Sequence, residues 1–178
     1  MLPHNKIIKT TVKKFLEPEN LFQIGSSRSW LDDQGYYMIL PMEWEVFHYL
    51  GEVESNKNSW SSVFFVKGIH EEKYIKCFDL SSFNDHCSNE MDSVLLKIYD
   101  CFVQNNLKIW EQMCLSVHNT GDFKVNFNYD VMTKSEYGQV EREIIWAYET
   151  FGAKPENSPF LTNIFNRYLE QKIEKEDS

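Results

Sequence analysis

Apolar and polar residues alternate strictly in the segment from Asp122 to Val131. The apolar positions are Phe123, Val125, Phe127, Tyr129 and Val131. The polar positions are Asp122, Lys124, Asn126, Asn128 and Asp130. A period of two indicates a β-strand with its apolar row in a core and its polar row toward solvent. Because asparagine and aspartate are poor strand formers, the polar row is a candidate surface for contacts with another molecule.

The pattern of apolar residues elsewhere predicts four further strands and four helices. With the segment above, the predicted strands cover residues 45–54, 60–68, 72–80, 110–118 and 122–131. The predicted helices cover residues 6–16, about 88–104, about 137–151 and 159–174. Short turns between neighbouring strands favour antiparallel pairing. The chain is therefore predicted to have an α+β fold, with a mainly antiparallel sheet of about five strands, helices packed on one face and solvent on the other.

Capping residues predict where the helices begin and end. Ser88 or Asn89 is the predicted N-cap of the second helix. Thr133 and Glu136 form a capping-box pattern in front of the third helix, and Gly152 suits its C-terminal end.

The charge of the chain limits the partners it can bind. The chain has 18 basic and 27 acidic residues, which gives a net charge of −9. Residues 1–33 contain five of the basic and four of the acidic residues, so the rest of the chain is strongly acidic. Such a surface repels nucleic-acid phosphates and attracts a basic protein. No apolar run approaches the length of a membrane span, and the N-terminus does not resemble a secretion signal. We therefore expect a cytoplasmic protein with reduced cysteines that binds neither nucleic acid nor membrane.

No familiar catalytic or metal-binding motif is complete in this sequence. The segment HEEKY at His70 begins like a zinc-protease motif but has Tyr74 where the second metal ligand belongs. Acidic pairs such as Glu43 with Glu45 are able to bind a metal or act as acid and base, but such pairs on a strand are more often simply solvated. The sequence therefore predicts a protein without enzymatic activity, cofactor or metal.

Three longer segments share a pattern with a known family. They are PMEWEVFHYLGEVE (41–54), WEQMCLSVHNTGDFKVNFNYD (110–130) and YGQVEREIIWAYETFGAKPE (137–156). The matching positions are Pro41, Trp44, Glu45, Trp110, Gly121, Phe123, Lys124, Val125, Phe127, Tyr129, Glu141, Arg142, Ile145, Trp146 and Tyr148. In this order and spacing, the segments resemble the YezG-like family of bacterial antitoxins, which includes the EsaG-type immunity proteins. The resemblance covers about residues 41–170.

The resemblance implies a function and a partner. Proteins of this family look like cytoplasmic immunity proteins that bind and neutralise the nuclease domain of a secreted polymorphic toxin, without enzymatic activity of their own. A nuclease is cationic where it holds phosphates, which agrees with the acidic charge of this chain. Residues 1–40 depart from the family pattern, so we expect an atypical N-terminal segment followed by the family domain at 41–178, together in one compact domain.

The strand pattern and the family resemblance together suggest which residues contact the partner. The predicted partner-binding residues are Glu45, His48, Glu52, Lys124, Asn126, Asn128, Asp130 and Glu141. Two other functions stay open at this stage. One is an adaptor or chaperone that binds another basic protein or a peptide strand. The other is a hydrolase that uses Glu, Asp and His residues in an unfamiliar arrangement.

Overall fold

The computed structural model describes residues 43–80, 85–156 and 158–176. The predicted helix at 6–16 and the segment up to residue 40 lie outside these residues. The chain divides between Val131 and Met132 into two compact units. Among the described residues, no helix combines the length and the apolar character that crossing a bilayer requires.

The first unit is built on a five-stranded antiparallel sheet with the strand order β3-β2-β1-β4-β5. The strands are β1 (Trp44–Val53), β2 (Trp60–Gly68), β3 (Tyr74–Lys76), β4 (Gln112–His118) and β5 (Phe123–Asn128). The helix α1 (Asp85–Gln104) lies between β3 and β4 in the chain. The predicted α+β fold with a mainly antiparallel sheet is thus confirmed.

One face of the sheet, which we call the apolar face, packs against α1. It contains the cross-strand neighbours of Phe47, Tyr49 and Gly51 on β2, β4 and β5. The rings of Phe102 on α1 and Phe127 on β5 have their centres 4.9 Å apart. Burying each large apolar side chain here contributes about 1.5–3 kcal/mol, so this layer supplies the main stabilisation of the unit.

Gly51 on β1 is required by the close approach of α1. A Cβ atom at this position would lie 2.4 Å from Leu95 Cδ1 and 2.9 Å from Tyr49 Oη. Both distances are shorter than van der Waals contact. A larger residue would therefore force the side chains of Leu95 and Tyr49 to move.

The second unit contains two helices, α2 (Gln139–Phe151) and α3 (Pro159–Glu176). The rings of Tyr148 and Phe165 pack edge to face with their centres 4.9 Å apart. Ion pairs also join the helices: Arg167 contacts Glu141, and Lys172 Nζ lies 2.6 Å from Glu149 Oε1. Solvent and salt weaken such exposed ion pairs, so the contact of Tyr148 with the buried Phe165 contributes more to this pairing.

Three of the predicted strands are longer than the observed ones. The third strand is only Tyr74–Lys76, because the chain then forms a 3-10 turn at Cys77–Asp79. The fourth begins at Gln112, two residues after the fully buried Trp110. The fifth ends at Asn128, because Asp130 has a left-handed backbone with φ 62°.

Two predicted helix starts were also wrong. Helix α1 begins at Asp85, so Ser88 and Asn89 lie inside the helix. Thr133 and Glu136 precede α2, whose N-cap is Gly138. The Glu141 carboxylate accepts a hydrogen bond of 2.7 Å from the Gly138 N–H and satisfies one of the free donors at the helix start. The C-terminal prediction was correct: Gly152 ends α2 with φ 74°.

Candidate functional site

The face of the sheet opposite α1 carries three rows of cross-strand neighbours, which we call the polar face. The rows are His48–Ser116–Lys124, Leu50–Cys114–Asn126 and Glu52–Gln112–Asn128. Because directly paired residues of antiparallel strands point to the same side, the structure brings five predicted binding residues together on this face. These five are His48, Glu52, Lys124, Asn126 and Asn128.

The row that begins at Glu52 is a chain of side-chain hydrogen bonds. Gln112 Nε2 donates to Glu52 Oε1 at 3.1 Å, and Asn128 Nδ2 donates to Gln112 Oε1 at 2.8 Å. Glu52 is only 2% exposed and Gln112 is 7% exposed. Sequence reasoning missed Gln112, although it lies on the same face of its strand as Ser116 and His118. Buried polar groups that bond one another in this way hold three strands in a single register.

His48 is the third buried polar residue of this face, after Glu52 and Gln112. Its Nδ1 lies 2.8 Å from Ser116 Oγ, and its ring centre lies 5.5 Å from that of Tyr74. Burial, followed by the charge of the neighbouring His118, lowers the pKa of His48 from 6.5 to about 4. The imidazole is therefore neutral at physiological pH.

Exposure on the polar face rises from β1 to β5. The β1 residues His48, Leu50 and Glu52 are buried, whereas Lys124 and Asn126 on β5 are exposed. The expectation that this face is exposed to solvent is therefore wrong for β1 and correct for β5. A period of two identifies the two faces of a strand, but it contains no information on what covers each face. The accessible part of the candidate site is the β5 side of the sheet.

The apolar row of β5 is less buried than predicted. Phe127 is half-buried and packs near Phe102 and Trp110. Phe123, which was expected in the core, is 44% exposed. It lies at the first residue of an outer strand, where fewer neighbours reach it.

The other three predicted residues are not members of these rows. Glu45 is exposed and its Oε2 lies 3.0 Å from Lys67 Nζ, a contact that raises the pKa of Lys67. Asp130 is exposed in the turn after β5. Glu141 belongs to the second unit, where its carboxylate caps α2 and contacts Arg167.

A set of exposed carboxylates, which we call the acidic end, surrounds the start of β1. Its members are Glu43, Glu45, Glu71, Glu72 and Asp122. Two backbone hydrogen bonds bring these segments together: Ile69 N donates to Glu43 O at 2.9 Å, and Asn119 N donates to Glu45 O at 3.0 Å. The sequence contained the signal for this set, because turns with acidic residues follow β2 and β4 on the side where β1 begins.

The described residues contain no group of three or more His, Cys, Asp or Glu side chains that could hold a metal ion. The acidic end is therefore best understood through its charge. Five carboxylates share this end with the basic side chains Lys67 and Lys73, so they favour a cationic neighbour.

Comparisons with known proteins identify similar sequences. The sequence model of a family described as "Immunity protein YezG-like" matches residues 34–164. "Immunity protein YezG" of Bacillus subtilis strain 168 is 25% identical over 126 residues, which cover 67% of this chain and 82% of that protein. The protein of the same name from Bacillus spizizenii strain W23 is 22% identical over 124 residues, 66% of this chain and 76% of that protein.

A third relative has a different name. "Type VII secretion system protein EsaG" of Staphylococcus aureus strain NCTC 8325 is 22% identical over 142 residues, which cover 77% of this chain and 86% of that protein. The range matched by the family model contains all five strands, α1, α2 and the first residues of α3.

Proposed function

Because this chain belongs to the immunity protein YezG-like family, we propose that it is a cytoplasmic immunity protein that binds and blocks the nuclease domain of a secreted polymorphic toxin. The family match over residues 34–164 is the observation that carries the proposal. The name of the staphylococcal relative, a type VII secretion system protein, supports a secreted protein as the partner. An immunity protein acts by binding, so this function requires no catalysis by the chain itself.

Electrostatics support a nuclease as the target. A nuclease must present cationic groups to hold phosphates, and this chain has a net charge of −9. Carboxylates of the acidic end are exposed and able to approach such groups. Opposite charges accelerate association, which benefits a protein that must neutralise its target quickly.

We place the contact on the acidic end and on the β5 side of the polar face. Glu45, Lys124, Asn126 and Asp130 are exposed there, and Asn128 is half-buried. The buried His48 and Glu52 lie beneath this surface and position it through Ser116 and Gln112.

Glu141 has a different role in this proposal. Its carboxylate already contacts Arg167 and caps α2, so a partner cation must displace Arg167 to reach it. This cost makes Glu141 the weakest of the predicted contacts.

Inhibition titration against the nuclease domain of the toxin encoded beside this gene tests the proposal. The wild-type chain should abolish cleavage of DNA or RNA at about one equivalent and show no cleavage alone. A nuclease that stays fully active in excess wild-type chain would contradict the proposed function.

Charge reversals test the proposed surface. Glu45→Lys/Asp122→Lys should weaken inhibition by about 10- to 100-fold at low salt, with a smaller effect at high salt. The matched control is Glu54→Lys/Glu170→Lys, which makes the same change in net charge at exposed positions that are not members of the proposed surface. Equal losses in both double variants would mean that net charge matters and the acidic end does not.

A further inference from the structure

We propose that the outer edge of β5 pairs with an extended, basic segment of the toxin, which adds a sixth strand to the sheet. This inference rests on the proposed function and specifies how the partner is bound. Strand addition of this kind obtains affinity from main-chain hydrogen bonds and specificity from the alternating side chains.

The topology places β5 at the end of the sheet. In the order β3-β2-β1-β4-β5, only β4 is paired with β5, and no strand among the described residues pairs with its other side. His118 N donates to Asp122 O at 2.8 Å, so the even-numbered residues of β5 bond to β4 in the antiparallel alternation. The N–H and C=O groups of Phe123, Val125 and Phe127 therefore point to the open edge.

The open edge lacks most devices that prevent strands from pairing there. Proteins usually shorten an edge strand, bend it with a bulge, or place proline and charges on it. The β4–β5 register continues through six residue pairs without a bulge, and β5 contains no proline. Lys124 is its only charged residue. The opposite edge strand, β3, is only three residues long and ends in a 3-10 turn.

Charge distinguishes a basic partner from a second copy of this chain. Each copy has a net charge of −9, so two copies repel each other. Antiparallel self-pairing about Val125 would set Lys124 opposite Asn126 and Asp122 opposite Asn128, which forms no compensating ion pair. A toxin strand with lysine or arginine near its two ends would instead meet Asp122 and Asp130, the exposed carboxylates that flank β5.

Amide hydrogen exchange of the wild-type chain gives the most direct test. In the free protein, the amides of Phe123, Val125 and Phe127 should exchange fast, while those of Lys124 and Asn126 should be protected by β4. Adding the nuclease domain of the neighbouring toxin should protect the first three. If the complex forms and these three amides still exchange fast, the strand-addition inference is wrong while the proposed function stands. If no complex forms, both are wrong.

Amide hydrogen exchange in the absence of toxin tests whether β5 pairs instead with a second copy of this chain. Protection of the odd-numbered amides that rises with the concentration of the free chain, together with a dimer in sedimentation, would assign the edge to self-association. That result would overturn the proposal for a toxin strand.

A proline variant provides a second, independent measurement. Val125→Pro removes an N–H that points to the open edge and leaves the β4 hydrogen bonds in place, a position where strands tolerate proline. Val125→Ala shortens the same side chain but keeps the N–H. The ratio of the affinities of the two variants therefore isolates the contribution of this backbone N–H to binding. We expect Val125→Pro to bind the nuclease domain about 10-fold or more weakly than Val125→Ala. Equal affinities of the two folded variants would contradict the inference.

Discussion

The buried imidazole of His48 should make the fold less stable in mild acid. Its pKa is about 4 in the folded protein and 6.5 in the unfolded chain, so the unfolded chain binds more protons between these values. The free energy of unfolding is therefore fully retained above about pH 6.5 and falls as the pH drops toward 4. If the whole difference between the two pKa values is counted, protonation of the unfolded chain lowers the free energy of unfolding by about 2 kcal/mol at pH 5. Because solvent screens part of this effect, we expect a loss of about 1–2 kcal/mol.

Urea denaturation between pH 4.5 and 7.5 measures this loss, with His48→Gln as the control. Glutamine stays neutral throughout this range and is able to bond Ser116 Oγ, the present partner of His48 Nδ1. Groups that do not interact with His48 contribute equally in both proteins, so the difference in the free energy of unfolding between them isolates His48 together with its interaction with His118. We expect the wild type to lose about 1–2 kcal/mol relative to His48→Gln from pH 7 to pH 5. Parallel stability curves for the two proteins would refute the reasoning.

Two substitutions in β1 test the packing of the sheet on its two faces. Glu52→Lys should destabilise the fold by about 3–5 kcal/mol, because it places an ammonium group beside Gln112 at a position that is only 2% exposed. The control Glu54→Lys, at an exposed position, should stay within about 0.5 kcal/mol of wild type. Equal melting temperatures for the two variants would contradict the burial of Glu52. Gly51→Ala should cost about 1–3 kcal/mol through the contact with Leu95, and a double-mutant cycle with Leu95→Val should show that this cost shrinks. A cost that is the same in both backgrounds would mean that Leu95 does not cause it.

The sequence predicted the sheet well because the period of two is a strong signal. The second strand has the predicted bounds, Trp60–Gly68, and the last two strands form the predicted hairpin around Asn119–Gly121. The assignment of His48, Glu52 and Asn128 to one face was also correct, since it follows from strand parity and antiparallel register alone.

Burial and helix starts could not be predicted in the same way. Glu52 is 2% exposed, and nothing in the alternating pattern of β1 distinguishes this buried position from an exposed one. The start of α2 was misplaced because Thr133 and Glu136 have the spacing of a capping box, whereas Glu141 binds the Gly138 N–H instead.

The buried polar row of Glu52, Gln112 and Asn128 also helps to fix which N–H groups of β5 point to its open edge. A slip of β5 by one residue would exchange its two faces and turn the N–H groups of Lys124 and Asn126 outward. The hydrogen bond from Asn128 to Gln112, and from Gln112 to the enclosed Glu52, opposes that slip because the slipped strand would leave Gln112 Oε1 without this donor. In the proposed complex, Glu52 would therefore influence a partner strand at the β5 edge without touching it. A change at Glu52 that preserves the fold should alter binding only through the register of β5.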